Sequence, residues 1–570
     1  MSRYSRQRET SNLLAKSDKW DAIPGSPSSG ITDKFSLAPD PSAWGSTVSP
    51  NQPEPDDYLH NPEVRNGKVI DRATSGIFSG RGLANLGCLA ILGFGTIALF
   101  GGYPVASFIN RKLIAPINLS TTRPVNGTGQ IASIGNFGLI DLDTPQDAYT
   151  ITSLTTGKPM KLIFSDEFNV DGRTFYPGDD PYWEAVDLHY WSTNNMEWYD
   201  PRAVKTGNGS MQITLDAIPN HGLDYTGGMV ATWNKFCYTG GLALASVRLP
   251  GANNVLGLWP AFWTMGNLGR AGFGASLEGM WPYTYDACDV GAAPNQTVNG
   301  LPEIATTSGD KNLPYNGELS YLNGQRLSRC TCPGESHPGP MHEDGSYVGR
   351  AAPEIDVFEA QIEDGQGAVS QSGQWAPFNA AYVWFNTSDN LIIPDPSISA
   401  LNSYTGGAYQ QATSVVTKTN QGCYELGGDG CFAVYAMEYK PGFDNAYISW
   451  WSDNKLAWTI RSEGLAKDPV AEIAARPVPQ EPMYLLANLG MSSNFGFVDL
   501  EHLVFPTTLS IDYVRVYQYP DQINIGCDPP DFPTAAYIDA YLEAYSNPNL
   551  TTWVDDYKQK IPRNKLVDGC

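Results

Sequence analysis

The chain has 570 residues, of which 42% are hydrophobic and 12% are aromatic, and its mean hydropathy is −0.28. These values exclude a wholly disordered chain and a protein with many membrane spans. Its 36 basic and 60 acidic residues give a net charge of −24, which repels nucleic acid and so argues against DNA or RNA as a partner.

The first 81 residues are rich in Ser, Pro, Asp and Asn and show no sustained apolar period. This composition predicts a mostly disordered tail over residues 1–81. We expect the tail to be cytoplasmic, where sorting machinery or other partners could read it.

An uncharged stretch follows the tail, and residues 83–108 read LANLGCLAILGFGTIALFGGYPVASF. A bilayer core needs about 20 apolar residues, so the stretch predicts one transmembrane signal anchor over residues 82–109. It lies too far from Met1 for a cleaved signal peptide. The alternative is a buried core helix, although such helices are rarely so long and free of charge.

Glycosylation sequons and cysteines indicate which side of the membrane the remainder occupies. The flanking charges are nearly balanced, but all six sequons follow the stretch, at Asn118, Asn126, Asn208, Asn295, Asn386 and Asn549. Eight of the nine cysteines also follow it, which is typical of disulfides in an oxidising compartment. Cys423 and Cys431 could close a short loop, and the other pairings stay open. We therefore expect a single-pass type II glycoprotein of the endoplasmic reticulum, Golgi or plasma membrane, with its larger part lumenal or extracellular.

Residues 110–150 are expected to form a lumenal stalk, and residues 151–520 a β-sandwich domain. Short runs rich in aromatic and β-branched residues recur there between Gly, Asn and Pro turns, without a long helical period. A Gly-, Pro- and Cys-rich stretch over 266–350 predicts a long ordered insertion near a binding face. Residues 521–570 are expected to pack as a C-terminal extension, weakly helical over 535–545.

Two tryptophans stand four residues apart in the segment GLWPAFWTM at 257–265. On a strand, Trp259 and Trp263 would share one face. Sugar rings stack on tryptophan because their C–H faces are apolar. Either residue alone would be more typical of a protein core, whereas the pair beside a carboxylate cluster favours a glucan-binding cleft.

Three carboxylates fall within six residues of the strand-like run PEIDVFEA at 353–360. In a regular strand Glu354 and Asp356 share a face while Glu359 points away. A β-bulge between Asp356 and Glu359 would bring all three to the same face. Their proximity would raise the pKa of at least one of them.

Retaining glycoside hydrolysis uses two such carboxyls about 5–5.5 Å apart. Glu354 would be the nucleophile, Glu359 the general acid/base, and Asp356 the helper that tunes Glu354. The alternatives are a solvated acidic edge or a cation site. No metal or cofactor is otherwise indicated.

Four segments together resemble glycoside hydrolase family 16, namely EIDVFEA at 354–360, GLWPAFWTMG at 257–266, YLLANLGM at 484–491 and IDYVRVYQ at 511–518. The resemblance implies an all-β, concanavalin-like jelly roll that cleaves or transfers β-glucans with retention. It carries the same roles to the three carboxylates and places Trp259 and Trp263 at sugar subsites. Many relatives have a His on the next strand, where this chain offers Gln371 as a substrate-binding residue.

Four further segments are similar to the fungal membrane-anchored branch associated with β-1,6-glucan synthesis. They are FSDEFNVDGRTFYPGDDPYWEAVDLHYW at 164–191, GMWPYTYDACDVG at 279–291, CTCPGESHPGP at 330–340 and IGCDPPDFPT at 525–534. The branch implies β-glucan chains as ligand and wall-synthesis partners for the tail.

Two functions remain open from the sequence. The first is a β-glucan glycosidase or transglycosidase, endo-β-glucanase-like, in cell-wall biosynthesis and remodelling. The second is a non-catalytic glucan-binding or scaffold protein on the same fold. No HExxH, GxSxG, P-loop or dinucleotide motif supports another enzyme class.

Overall fold

The computed structural model describes residues 63–66, 68–70, 80–97, 101, 138–312 and 314–570. The chain divides into two compact units, Met1–Pro116 and Ile117–Cys570.

In the first unit, the described residues form one hairpin and one helix. Strands β1 (Glu63–Arg65) and β2 (Lys68–Ile70) pair antiparallel, and helix α1 spans Gly80–Ile97. Most of the tail predicted to be disordered lies outside the described residues, as do residues 98–100 and 102–109 of the expected membrane anchor. No helix in the described part of the chain combines the length and the apolar character needed to cross a membrane.

The second unit is built mainly from strands, as its composition predicts. In chain order they are β3 (Thr150–Thr152), β4 (Pro159–Asp166), β5 (Glu184–Ala185), β6 (Leu188–His189), β7 (Glu197–Tyr199), β8 (Val204–Gly207), β9 (Ser210–Leu215), β10 (Tyr225–Ala231), β11 (Gly241–Ala252), β12 (Trp259–Gly266), β13 (Glu354–Glu363), β14 (Gln366–Trp375), β15 (Leu391–Ile392), β16 (Ser399–Leu401), β17 (Gly406–Gly407), β18 (Gln410–Lys418), β19 (Tyr424–Leu426), β20 (Ala433–Lys440), β21 (Tyr447–Ser452), β22 (Lys455–Arg461), β23 (Met483–Gly490) and β24 (Thr507–Gln518). The short helices are α2 (Gly274–Leu277), α3 (Ala535–Ala540) and α4 (Leu542–Ser546).

These strands form two mainly antiparallel sheets. The first sheet has the order β16-β18-β14-β13-β12-β23-β10-β7-β6, with β17 beside β18 and β5 beside β10. The second sheet has the order β15-β22-β21-β20-β11-β24-β4-β3, with β19 beside β11 and the β8–β9 pair beside β24. Strands far apart in the sequence are neighbours, so β12 pairs with both β13 and β23.

The main hydrophobic core lies between the two sheets. Alternate residues of the first sheet, such as Phe262 and Leu485, share one buried cluster with Trp450 and Val514 of the second sheet. This alternation is expected of strands that have one face on a core. The predicted β-sandwich is therefore confirmed.

Both ends of the sandwich region extend beyond the predicted boundaries. The described part of the expected stalk, residues 138–150, packs on the sandwich: Leu139 contacts the main core and its carbonyl accepts the Ser165 N–H at 2.9 Å. At the other end, Tyr545 and Trp553 share a second buried cluster with Trp263, on the outer face of the first sheet. The C-terminal extension is therefore an integral layer of the folded unit.

All eight cysteines beyond residue 110 form disulfides, as predicted. The pairs are Cys237–Cys527, Cys288–Cys330, Cys332–Cys570 and Cys423–Cys431. The last pair closes the short loop expected from its spacing. Two others attach the C-terminal extension to the sandwich and to the 266–350 insertion.

Candidate active site

A β-bulge on β13 brings the three carboxylates to one face. The pairing of β13 with β14 shifts between Asp356 and Glu359, and consecutive Val357 and Phe358 both face the main core. The Trp450 indole N–H of the second sheet donates to the Asp356 carbonyl at 2.7 Å and holds the backbone there. Glu354, Asp356 and Glu359 therefore lie on the outer face of the first sheet, as the predicted bulge requires.

Each carboxylate has its own hydrogen-bond donors. Glu354 Oε2 accepts the Trp281 indole N–H at 2.6 Å, and Glu359 Oε1 accepts that of Trp259 at 2.9 Å. Asp356 Oδ2 accepts the Ser372 hydroxyl at 2.7 Å and the Gln374 amide at 3.1 Å. These different surroundings can assign different chemical roles to three similar groups.

The electrostatics of the cluster favour protonation. Burial raises the pKa of Glu354 well above its usual value, and the charges of Asp356 and Glu359 add to that effect. Burial also raises the pKa of Asp356, and the pKa of Glu359 reaches about 8 because burial and the Asp356 charge act together. The cluster therefore retains protons near neutral pH, unlike a solvated acidic edge. In the described residues, no group of three or more His, Cys, Asp or Glu side chains could hold a metal ion.

The two predicted tryptophans share the site face but differ in environment. Trp259 is half-buried and stacks on Phe495, with ring centroids 4.3 Å apart and an interplanar angle of 3°. Trp263 is only 7% exposed, and its indole N–H donates to Asn488 Oδ1 at 2.8 Å. Trp259 therefore has ring surface available beside Glu359, whereas Trp263 forms part of the floor.

The expected position of Gln371 on the substrate face is wrong. Its side chain is fully buried on the core side of β14, where Nε2 donates to the carbonyls of Val357 and Trp451, each at 3.1 Å. Strand alternation instead places Ser372 and Gln374 on the site face. Gln371 thus supports the bulge from inside the sandwich.

Several contributors to the site were not recognised in the sequence. Trp281 comes from the 266–350 insertion, and Ser372 faces Asp356 across the β13–β14 pair. Tyr190 packs against the same outer-face cluster as Trp263, and burial, followed by the charge of Glu354, raises the pKa of its phenol well above the usual value. Strand parity could have identified Ser372, whereas Trp281 and Tyr190 depend on long-range folding.

Most of the predicted glycosylation sites lie at the surface of the described structure. Four of the six asparagines have exposed side chains, namely Asn208, Asn295, Asn386 and Asn549. Asn118 and Asn126 lie outside the described residues. The exposed positions are accessible to modification, and their occupancy stays a prediction.

The chain is similar to several known proteins. The chain is 42% identical over 532 residues to the beta-glucan synthesis-associated protein SKN1 of Candida albicans, which covers 92% of this chain and 68% of that protein. It is 27% identical over 365 residues to a beta-glucanase of Rhodothermus marinus, which covers 63% of this chain and 85% of that enzyme. The X-ray structure of an endo-beta-1,3-glucanase from Pyrococcus furiosus matches 66% of this chain and 99% of its own, with 16% identity and a TM-score of 0.37.

A family model described as beta-glucan synthesis-associated protein SKN1/KRE6/Sbg1 matches residues 46–570. This match spans most of the chain, including the sandwich, the insertion and the C-terminal extension. The chain belongs to the SKN1/KRE6/Sbg1 family of beta-glucan synthesis-associated proteins.

Proposed function

We propose that this protein is a retaining β-glucan glycosidase or transglycosidase that takes part in fungal β-glucan synthesis and remodelling, β-1,6-glucan included. The observation that carries the proposal is the carboxylate triad on the bulged strand, in which Glu354, Asp356 and Glu359 share one face but have different donors. Family membership supports the glucan-synthesis role, and the similarity to a beta-glucanase supports the reaction class.

The reaction proceeds in two displacements. In the first, a Glu354 carboxylate oxygen attacks the anomeric carbon, the glycosidic C–O bond breaks, and Glu359 gives its proton to the leaving oxygen. This step leaves a glycosyl ester on Glu354. In the second, Glu359 takes a proton from an incoming hydroxyl, whose oxygen bonds to the anomeric carbon as the ester breaks.

Asp356 assists Glu354 by taking up its proton. Its Ser372 and Gln374 hydrogen bonds stabilise its ionised form, while burial favours its protonated form. It can therefore accept the proton that Glu354 must lose before attack. Water as acceptor gives hydrolysis, and a sugar hydroxyl gives transfer.

The test uses residues 110–570, produced with their glycans and disulfides. They are incubated with β-1,3- and β-1,6-linked gluco-oligosaccharides, and the masses of the products are measured. We expect products longer than the substrate, and their loss in Glu354→Gln. Glu363→Gln is the matched control, because Glu363 is exposed at the far end of the same strand.

Each other outcome has a defined meaning. Only shorter products would identify a hydrolase. Products that persist in Glu354→Gln would contradict the assigned nucleophile. Binding without any turnover would instead favour the glucan-binding scaffold.

We propose further that the folded region resides in the secretory pathway or at the cell surface. Four disulfides and four exposed sequon asparagines support this location, because both features are typical of that route. A mobility shift of the native protein after endoglycosidase treatment tests it. An unglycosylated, fully reduced protein would contradict it.

A further inference from the structure

The outer face of the first sheet has two different flanks beside the carboxylates. Strands β14 and β18 lie on one side of β13, and strands β12, β23 and β10 lie on the other. Level with Asp356 stand Ser372 and then Ser414 on the first side, and Trp263 and then Leu486 on the second. Alternate residues of each strand share this face. We call the outer face of β14 and β18 the hydroxyl flank, and that of β12, β23 and β10 the apolar flank.

The apolar flank is sealed from solvent. Tyr484 and Leu486 of β23 are each 0% exposed, and Met229 of β10 is 1% exposed. Side chains of this size would be accessible on an open sheet face, so other residues must cover them. They share one buried cluster with Tyr545 and Trp553. The C-terminal extension therefore covers this flank.

Hydrogen bonds fix the cover to the sheet. The Ala271 N–H donates to the Tyr484 hydroxyl at 3.0 Å. The Tyr545 hydroxyl donates to the Leu268 carbonyl at 2.9 Å, and Arg270 Nη1 donates to the Tyr545 carbonyl at 2.7 Å. The cover is thus built into the fold, and a sugar chain has no path across this flank.

The apolar flank is also closed beyond Glu359. Gly490 of β23 pairs with Trp259 of β12, and a Cβ at Gly490 would collide with Glu197 Oε1 and contact Asn195 Nδ2. Glu197 and Asn195 therefore fill the space over β23 at this level. Trp259 itself is half-buried, so part of its ring stays accessible beside Glu359 before the flank closes.

The hydroxyl flank differs in both chemistry and access. Ser370 Oγ and Ser414 Oγ are 2.9 Å apart, and Asn402 Nδ2 donates to Ser414 Oγ at 3.1 Å. Val416, which pairs with Ser370, is half-buried, and Ala400, which pairs with Val416, is exposed. Small hydroxyl and amide side chains leave room for a sugar chain and can bond its hydroxyls.

We infer that the site accepts the end of a β-glucan chain and excludes the interior of the chain. The terminal sugar lies beside Trp259, and the rest of the chain runs over the hydroxyl flank. An open cleft would hold glucan on both flanks, whereas the covered apolar flank ends the path next to the carboxylates. This inference rests on the proposed glycosidase or transglycosidase function and narrows its substrate to chain ends.

The test compares a cyclic β-glucan with β-1,3 and β-1,6 linkages, which has no chain end, with a linear glucan made by opening the same ring once. Each is incubated with the full chain, and the masses of the products are followed over time. The linear glucan should react, and the cyclic glucan should react at least about a hundredfold more slowly, because a steric clash excludes a substrate with no end to insert. Similar rates would overturn the inference and leave the proposed function standing.

A substitution tests the path over the hydroxyl flank. Val416→Trp fills part of that flank and should raise the half-saturating concentration of the linear glucan about tenfold through lost sugar contacts. Val434→Trp is the matched control, because Val434 is also half-buried but lies on the outer face of the second sheet. An unchanged concentration in Val416→Trp, with an unchanged thermal midpoint, would overturn the path.

Binding measurements distinguish failure of this inference from failure of the proposed function. Calorimetric binding of both glucans is measured in the Glu354→Gln background. If neither glucan is turned over by the wild type, binding of the linear glucan alone would keep the chain-end site and reject the catalytic proposal. Equal binding of both glucans would overturn the chain-end site. Neither turnover nor binding of either glucan would overturn both proposals.

Discussion

At the scale of single residues, one indole lowers the pKa of Glu359, the proposed acid/base. Burial raises its pKa to about 8, while the Trp259 N–H bond at 2.9 Å opposes that rise by stabilising the carboxylate. Glu359 must be protonated to act as an acid, so activity is expected to fall as the pH rises through about 8. Trp259→Phe keeps a ring on Phe495 but removes the donor, and should move this alkaline limb to higher pH.

The measurement is the pH profile of kcat/KM for an oligosaccharide substrate. Trp198→Phe is the matched control, because its indole donates to Asp187 Oδ1 at 2.7 Å, a comparable bond to a different carboxylate. An alkaline limb that stays in place, or moves to lower pH, in Trp259→Phe would show that the indole does not tune Glu359.

The residues of the site were predictable to different degrees. The period of a strand and one bulge were enough to group the three carboxylates within a single segment. Trp281 approaches Glu354 from 73 positions earlier in the chain, so no local pattern reports the contact. The prediction for Gln371 was wrong because successive residues of a strand face opposite sides of the sheet. Ser372 pairs with Asp356 and faces the site, so the adjacent Gln371 faces the core.

At the scale of elements, the bulge on β13 depends on a polar group inside the core. Gln371 holds the Val357 carbonyl of the bulge and the Trp451 carbonyl of the second sheet. Gln371→Leu removes both hydrogen bonds, and each buried acceptor left unsatisfied costs about 1–3 kcal/mol. We expect a lower thermal midpoint and a lower kcat, with KM for oligosaccharide nearly unchanged.

Thermal unfolding and steady-state kinetics on one preparation check this expectation. Gln366→Leu changes an exposed glutamine at the start of the same strand and serves as the control. A raised KM with full stability would restore Gln371 to the substrate face and refute the structural assignment.

The elements themselves followed well from the sequence. The recurring aromatic and β-branched runs became strands such as β20 at Ala433–Lys440, and the weak helical signal at 535–545 became α3 and α4. The order of the strands could not be predicted from the sequence. Strand β23 lies between β10 and β12, although it is more than 200 residues from either of them along the chain. Local composition encodes strands and turns, whereas long-range side-chain packing selects their partners.

At the scale of the whole molecule, buried carboxyls make stability depend on pH. Glu197 accepts the Asn195 amide at 2.6 Å and the Met491 N–H at 2.9 Å, yet burial raises its pKa from 4.5 to about 7. A raised pKa means that the folded state binds the proton more tightly. The stabilisation that protonated Glu197 gives to the folded state is therefore complete below pH 4.5 and is lost as the pH rises through about 7.

Glu197→Gln removes this titration. The free energy of unfolding of the variant, relative to the wild type, should increase by about 2–3 kcal/mol between pH 4.5 and pH 7.5. Urea titrations at a series of pH values measure the difference. Parallel pH dependences in the two proteins would contradict a proton held by Glu197.

The disulfides divide into long and short closures, and their effects on stability should differ accordingly. Cys237–Cys527 joins residues 290 positions apart and attaches the C-terminal layer to the sandwich, whereas Cys423–Cys431 spans only 8. Because a cross-link restricts the unfolded chain more when its loop is longer, loss of the first should cost about 5.7 kcal/mol and loss of the second about 2.5 kcal/mol. Urea unfolding of Cys237→Ser/Cys527→Ser and of Cys423→Ser/Cys431→Ser measures both. Equal losses, or a larger loss for the short loop, would mean that local packing and not chain closure determines how these bonds stabilise the fold.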